Sequence, residues 1–419
     1  MPEGALWIAH FENGGGFGGA ITSFEEHVRY APPECKHLIA TSHTDAATMH
    51  VLHRSGARVI ELPQYRRPDL LLAAFRRMAG LSLITKLFAV SVGFAEVLAR
   101  TVYGAMAAYK LRSYRIAAVH LNNGLFFNLE GVVASKLLGV PCLLTVRGLE
   151  TRTDPIVRTV APLLASAVTH VLAVSSYIAD QLIAWGVPPA RVTTVFETVD
   201  IELCRQKMEE PLPELDAIPS VGPVIAMVGC ILPWKGYGTF VEAAALVLRG
   251  GRVPDASFWV IGGPAKGTED FALELRRRAA ALGLEERLRF FGHQNNVFPW
   301  TGRSDAVVHA SLQPEPFGRV IIEAMALGKP VIASRLGGPV EIISDGETGL
   351  LIEPGNPEIL ARAIEKLLTD NELRQRLIEG GTRTVSHKFS TAAFSGKIRS
   401  VYEQALPALA ASVPSNSCA

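Results

Sequence analysis

Two acidic residues eight positions apart, Glu315 and Glu323, frame the part of this 419-residue chain richest in groups able to do chemistry. The stretch reads Ser311-Leu-Gln-Pro-Glu315-Pro-Phe317-Gly318-Arg319 and continues through Glu323 to Gly328 and Pro330. Pro314 and Pro316 stiffen a loop, Phe317 and Gly318 fall in the expected first turn of a helix, and Gly328 with Pro330 ends that helix. The amides of Phe317, Gly318 and Arg319 then lack intrahelical acceptors, and such a helix start suits a diphosphate. A carboxylate accepts two hydrogen bonds from a vicinal diol, so Glu315 and Glu323 could read sugar hydroxyls beside it. Taken singly, either glutamate reads equally well as a solvated or salt-bridged side chain.

Further groups stand where strands should end. Lys235 follows an apolar run, in Val228-Gly229-Cys230-Ile-Leu-Pro-Trp234-Lys235-Gly236, and a fixed ammonium there would stabilise charge gathering on a departing diphosphate. Near the N-terminus, His10-Phe-Glu-Asn-Gly14-Gly15-Gly16-Phe17-Gly18-Gly19 follows the first apolar run; its glycines let backbone approach a ligand closely. The spacing is neither the dinucleotide G-x-G-x-x-G nor a P-loop, so a ligand-free turn remains open. His120 and Asn122 close one strand and Arg147 the next, which places them on an acceptor side. His120 reads either as a group orienting an acceptor hydroxyl or as a hydrogen-bonded structural histidine.

Short apolar runs alternate with helical patterns along the whole chain, the signature of βαβ units and parallel sheets. Strands are expected at 5–9, 37–40, 58–62, 117–121, 141–146, 170–174 and 192–195. A second series is expected at 224–228, 257–261, 288–291, 306–309, 330–333 and 349–352. Between the two series the proline- and charge-rich 200–222 reads as an interdomain connection. Ser175 and Ser176 read as the cap of the helix that follows. The organisation expected is a Rossmann-like acceptor domain over 1–200 and a Rossmann-like donor domain over 201–395. A helix from 396 should pack back towards the first domain and end in a frayed tail by 419. Two such sheets are expected to face each other across a cleft.

Composition narrows the function classes. Lys plus Arg number 41 against 40 Asp plus Glu, so no global field favours nucleic acid. The five cysteines have no paired spacing, which suits free thiols in a reducing compartment. The N-terminus shows no signal-peptide pattern, and a cytoplasmic location is expected, with the inner face of a membrane as a second option. The stretch from Leu70 to Tyr109 is apolar but broken by Arg76, Arg77, Lys86, Glu96 and Arg100. It reads as a pair of amphipathic helices or as a basic, apolar surface that rests on a membrane carrying a lipid-linked acceptor.

The pattern E-P-F-G-x-x-x-x-E, followed by Gly337-Gly338-Pro-Val-Glu341 and Asp345-Gly-Glu-Thr-Gly349, resembles the retaining glycosyltransferases of the E-x7-E group, glycosyltransferase family 4, "glycosyl transferases group 1". The resemblance implies the GT-B fold and sugar transfer from a UDP-, GDP- or ADP-sugar to a hydroxyl acceptor. Anomeric configuration would be retained, without a cofactor, in polysaccharide or glycolipid assembly. It implies that Glu315 meets the transferred sugar, Glu323 the nucleotide ribose, the Phe317 and Gly318 amides the phosphate and sugar, and Lys235 the diphosphate. Gly229 lies in the matching lysine segment, Gly292 in the loop around the nucleobase, and Gly16 and Gly18 in the loop that meets the donor. The sequence departs from the family at Cys230, where an arginine is usual. Arg319 could replace that charge or pair at the surface. No Asp-x-Asp stands in a convincing place, and no metal is expected. A nucleotide-sugar-binding protein with lost or altered activity is the alternative.

Overall fold

The computed structural model describes residues 7–12, 19–42, 46–62, 83–123, 128–148, 166–218 and 222–406. The glycine-rich segment carrying Gly15, Gly16 and Gly18, the start of the apolar stretch through residue 82, and the tail with Cys418 lie outside them. The chain divides into two compact units. One comprises Met1–Val174, Ile178–Val195 and Ser395–Ala419; the other comprises Ser175–Tyr177 and Phe196–Phe394.

The first unit is built on β1 (Trp7–Phe11), β2 (Lys36–Thr41), β3 (Arg58–Glu61), β4 (Ile116–Asn122), β5 (Cys142–Val146), β6 (His170–Ala173) and β7 (Val192–Thr194). They form a parallel sheet of order β3-β2-β1-β4-β5-β6-β7. Central runs such as Cys142-Leu-Leu-Thr-Val are buried throughout, as expected for strands covered on both faces. The pair of helices expected near residues 70–109 includes one continuous helix, Leu83–Leu111, of 29 residues. It packs closely on the helix Leu129–Leu138, because a Cβ at Gly104 would sit 2.6 Å from the Glu130 carbonyl oxygen and 2.7 Å from Val133 Cβ.

Histidines fill the space between this sheet and its helices. His10 on β1 and His120 on β4 are register partners with rings stacked 5.2 Å apart. His37 Nδ1 lies 2.8 Å from His10 Nε2. His27, on the helix Gly19–Arg29, sets its ring edge-on to His120 at 4.7 Å. The helix Thr391–Ala405 closes the cluster with the Tyr402 hydroxyl, 3.0 Å from His120 Nδ1 and 3.4 Å from His27 Nε2. Burial removes water from the imidazolium form, so the pKa of His120 falls to about 3 and that of His37 to about 4, and His10 and His27 are lowered well below their ordinary value.

The second unit repeats the design with β8 (Val224–Val228), β9 (Ser257–Ile261), β10 (Leu288–Gly292), β11 (Ala306–His309), β12 (Val331–Ser334) and β13 (Leu350–Ile352). The order is β10-β9-β8-β11-β12-β13, parallel throughout, with an apolar core of Ile225, Phe240, Phe258, Val308 and Ile332. The 200–222 stretch folds as part of this unit instead of serving as a bare connection. Asp200 Oδ1 accepts from Leu203 N at 3.0 Å and caps a helix Ile201–Met208, Cys204 and Leu215 are buried, and Asn296 Nδ2 donates to the Lys207 carbonyl at 2.8 Å. Ser175–Tyr177 group with this unit too. The amides of Ser176 and Tyr177 donate to the Glu341 carboxylate, each at 2.8 Å, so this carboxylate takes part in capping the helix Ser176–Ala184. Ser175 Oγ donates to the Pro316 carbonyl at 2.6 Å.

Candidate functional site

In open parallel sheets ligands bind beyond the carboxyl ends of the strands, where the strand order reverses. In the second unit that point lies between β8 and β11. The residues leaving those two strands are Gly229 and the turn to Lys235, and His309 with the loop to Glu315. The turn Pro233–Lys235 docks on the neighbouring loop through a hydrogen bond from Leu312 N to the Trp234 carbonyl, 2.7 Å. Gly236, at φ +79, has no room for a side chain, since a Cβ would stand 1.8 Å from the Ala310 carbonyl oxygen.

That docking brings Lys235 Nζ to 3.6 Å from Glu315 Oε2. The same oxygen lies 3.4 Å from His309 Nε2 and 3.4 Å from the Ser311 hydroxyl. Burial would push the Glu315 carboxyl up, but the hydrogen bond from His309, the Lys235 charge and the Ser311 hydroxyl outweigh it and pull its pKa down to about 2. Glu315 is therefore an ionised acceptor at neutral pH. His309 escaped the sequence reading because it closes an apolar strand, Ala-Val-Val-His; an ionisable residue at that strand end, directly before the acidic loop, was the available signal. Its Nδ1 is buried and has no hydrogen-bond partner among the described residues.

The Glu315 loop is held from behind by the second motif. Gly338 N donates to the Glu315 carbonyl at 2.8 Å, and Gly337, at φ +63, would place a Cβ 2.4 Å from that same oxygen. Phe317 is buried against Phe389 and Phe196, with ring centroids 5.7 and 6.2 Å away. The helix begins at Arg319, with Gly318 at φ 107 as its N-cap, slightly later than expected; the early amides of this turn have no intrahelical acceptor. Gly229, Gly262 and Gly292 mark the ends of β8, β9 and β10, at φ 136, 148 and 71. A Cβ on Gly262 would stand 1.8 Å from the Gly229 carbonyl oxygen, so backbone alone lines this rim.

Arg319 does not supply a loose cation. Its guanidinium lies 3.0 Å from Glu323 Oε1 and 3.6 Å from Glu197 Oε2, and donates to the Thr198 carbonyl at 3.3 Å. Glu323 is thereby held on the first turns of its helix. Cys230 is exposed, and its thiol is raised by burial against the opposing pull of Lys235.

In the first unit the corresponding reversal lies between β1 and β4. His120, read as either an acceptor-orienting group or a hydrogen-bonded structural histidine, is wholly buried. Its two nitrogens are taken by Tyr402 and by Thr145 Oγ1, at 3.0 and 2.8 Å, so it stands in the core and not at a surface. The nitrogens of His10, His27 and His120 lie within 4.8 Å of one another, but those of His120 are committed to these hydrogen bonds. Asn122, at the end of β4, is buried with neither carboxamide atom hydrogen-bonded among the described residues. Its neighbour Asn123, at φ 65, reaches Glu12 Oε1 at 3.5 Å. Arg147, half-buried after β5, lies close enough to His10, His27 and His120 for its charge to depress all three.

Residues 212–384 match the family described as Glycosyl transferases group 1, and residues 18–196 the Glycosyl transferase 4-like domain. The chain is similar to the lipopolysaccharide core biosynthesis glycosyltransferase LpsE of Rhizobium meliloti (strain 1021), 36% identical over 42% of this chain and 48% of that protein. It is similar to D-inositol 3-phosphate glycosyltransferase of Corynebacterium glutamicum (strain R), 34% identical over 54% of this chain and 55% of that one. The chain spans about half the length of these curated relatives. Among solved structures, HepE of Anabaena in complex with UDP and glucose superposes with a TM-score of 0.77 at 21% identity, covering 95% of this chain and 100% of that one. Sucrose-phosphate synthase from Thermosynechococcus elongatus gives 0.71 at 20% identity, over 96% and 100%. Residues 18–196 thus match the one domain and residues 212–384 the other, and the two parallel-sheet units have the two-Rossmann-like GT-B fold.

Proposed function

We propose that this protein transfers a sugar from a nucleotide-sugar donor to a hydroxyl acceptor, with retention of anomeric configuration, in polysaccharide or glycolipid assembly. The observation that carries the reading is the Lys235–Glu315–His309 group beside the start of the helix Arg319–Ala326, at the strand-order reversal of the second unit. The diphosphate lies against Lys235 and the amides of Phe317, Gly318 and Arg319. Glu315, an acceptor at neutral pH, takes hydrogen bonds from the sugar hydroxyls, and Glu323 from the ribose. The glycine rim at 229, 262 and 292 admits the nucleotide to the backbone. As the glycosidic bond breaks, charge collects on the diphosphate, where the ammonium and the helix amides stabilise it without a divalent cation. The acceptor attacks on the face that the diphosphate leaves. Gly15, Asn122 and Arg147 form the acceptor side, and His120 supports it from the core.

HepE was solved with UDP and with UDP-glucose, which supports a UDP-sugar as the first donor to try. The name of LpsE, a lipopolysaccharide core biosynthesis enzyme, supports an acceptor that is a saccharide or lipid-linked; the place proposed for the reaction is the cytoplasm, at the inner face of a membrane. Thermal-shift titration with UDP-, GDP- and ADP-sugars, in wild type and Glu323→Ala, tests the donor site. A selective shift lost in the variant is expected; no shift with any donor would remove the reading. The anomeric configuration of the product, read by NMR, tests retention.

A second reading, a protein that binds nucleotide sugars without turnover, is favoured by one feature. Cys230 stands where the family usually carries an arginine, and Arg319 is tied to Glu197 and Glu323. Donor binding without hydrolysis or transfer would establish it.

A further inference from the structure

From residue 97 onward the helix Leu83–Leu111 presents a packed side and an exposed apolar side. One packs on Leu129–Leu138 through Gly104, Ala107, Ala108 and Leu111. On the other, Val97, Leu98, Thr101, Val102, Ala105, Met106 and Tyr109 recur at three- and four-residue spacing and are all exposed, Tyr109 at 63%, Leu98 at 55% and Val102 at 54%. Of the two hydroxyls within this arc, that of Thr101 donates to the Val97 carbonyl at 2.8 Å, and the other is the phenol of Tyr109 at the arc's end. The packed side also holds Arg100, paired with Glu130 at 3.2 Å, so the exposed side is the more apolar of the two, and a contiguous exposed apolar face of this kind marks a contact surface.

The end of the arc is basic and aromatic. Arg112 stacks over Tyr109 at 3.7 Å, Arg58 over Tyr114 at 5.2 Å and Lys36 over Trp7 at 5.7 Å. Trp7 and Tyr114 meet edge to face at 5.6 Å, and Trp7 N donates to the Arg115 carbonyl, which joins these groups into one patch. Lys110 adds a further exposed cation, anchored on the Glu61 carbonyl oxygen. Residues 97–115 contain no aspartate or glutamate. Among the described residues, Lys36, Arg58, Lys110, Arg112 and Arg115 make no ion pair. Apolar side chains bordered by Trp, Tyr and unpaired cations suit the boundary between acyl chains and anionic headgroups. Among the described residues no helix is long and apolar enough to cross a membrane.

We propose that this arc and the basic aromatic patch at its end form a docking face for an anionic lipid bilayer, the helix lying along the surface. The proposal deepens the reading of a membrane-held acceptor and rests on it. The test is co-sedimentation of the full chain with phosphatidylcholine vesicles and with vesicles that also contain phosphatidylglycerol. Wild type should bind the anionic vesicles and release as salt is raised, because screening weakens the headgroup attraction. Val102→Glu/Met106→Glu and, separately, Arg112→Glu/Arg115→Glu should each weaken binding by on the order of tenfold. Circular dichroism checks that the variants fold, and their thermal shift with the donor separates loss of docking from failure of the transferase reading. No vesicle binding by wild type, or equal binding by both variants, would overturn the proposal. So would a wild-type dimer that Val102→Glu/Met106→Glu dissociates without any vesicle binding, since the arc would then be covered by a second copy.

Discussion

The two units share one strand order and place their ionisable groups in opposite ways. In the first unit two strand histidines sit under the helices: His10 and His120 are wholly buried, neutral and hydrogen-bonded into the fold. In the second the sheet interior is apolar, and Lys235, His309 and Glu315 gather where strands end and backbone turns. The difference teaches that residue type alone does not mark a site. A histidine whose nitrogens are both spent on Tyr402 and Thr145 holds a core together. A glutamate held ionised by a lysine, a histidine and a serine at the sheet's reversal point is ready for a ligand.

The sharpest way to break the comparison is to remove the charge at the strand ends of the second unit. Lys235→Ala should lower transfer by roughly a hundred- to a thousandfold, the scale for losing one preorganised charge-stabilising group, while the melting temperature moves little. Steady-state kinetics beside thermal melting decides this. Unchanged turnover would strike Lys235 from the mechanism.

Acid should separate the units next. A histidine whose folded pKa is depressed below about 6.5 gives stability that is full above that pH and declines as pH falls towards the folded value, here about 3 for His120 and about 4 for His37. Each such histidine should cost about 1.4 kcal/mol per pH unit in that range. Glu315 runs on a lower window: its contribution is full above its unfolded value and declines only as pH falls towards about 2. Hydrogen exchange at pH 5 against pH 7 should therefore show β1 and β4 loosening before β8 and β11. Simultaneous loosening would contradict the assignment of the histidines to the core.

Two smaller changes sharpen the contrast. Gly337→Ala introduces a Cβ at φ +63 and 2.4 Å from the Glu315 carbonyl oxygen, so it should cost roughly 1 kcal/mol or more of stability and displace the Glu315 loop. Its donor affinity, measured by calorimetry, should fall with it. Tyr402→Phe leaves His120 Nδ1 and His27 Nε2 without the shared hydroxyl and should cost roughly 1–3 kcal/mol in denaturant titration, with donor affinity unchanged.

Much of this architecture was legible in the residues. The thirteen expected strands reappear with ends shifted by at most two positions, because parallel strands buried on both faces leave unbroken apolar runs between turn residues. The acidic loop and its helix were legible for a related reason: proline, glycine and carboxylate sit at fixed offsets around one turn. The 200–222 segment was misread because prolines and charges also suit short capped helices laid on a surface. The two readings of His120 stayed open because register decides which histidines stack and sequence does not show register. His309 and the clamp from Gly337 and Gly338 depend on contacts between segments far apart in the chain, which no local pattern carries.

The central claim is that the donor is held at the strand ends of the second unit, around Lys235 and Glu315. Hydrogen exchange of the full chain with and without a UDP-sugar addresses it directly. Protection is expected in the peptides spanning 229–237 and 311–323, and it should disappear in Lys235→Ala. Protection confined to β1 and β4, or protection at 229–237 and 311–323 that survives in Lys235→Ala, would contradict it.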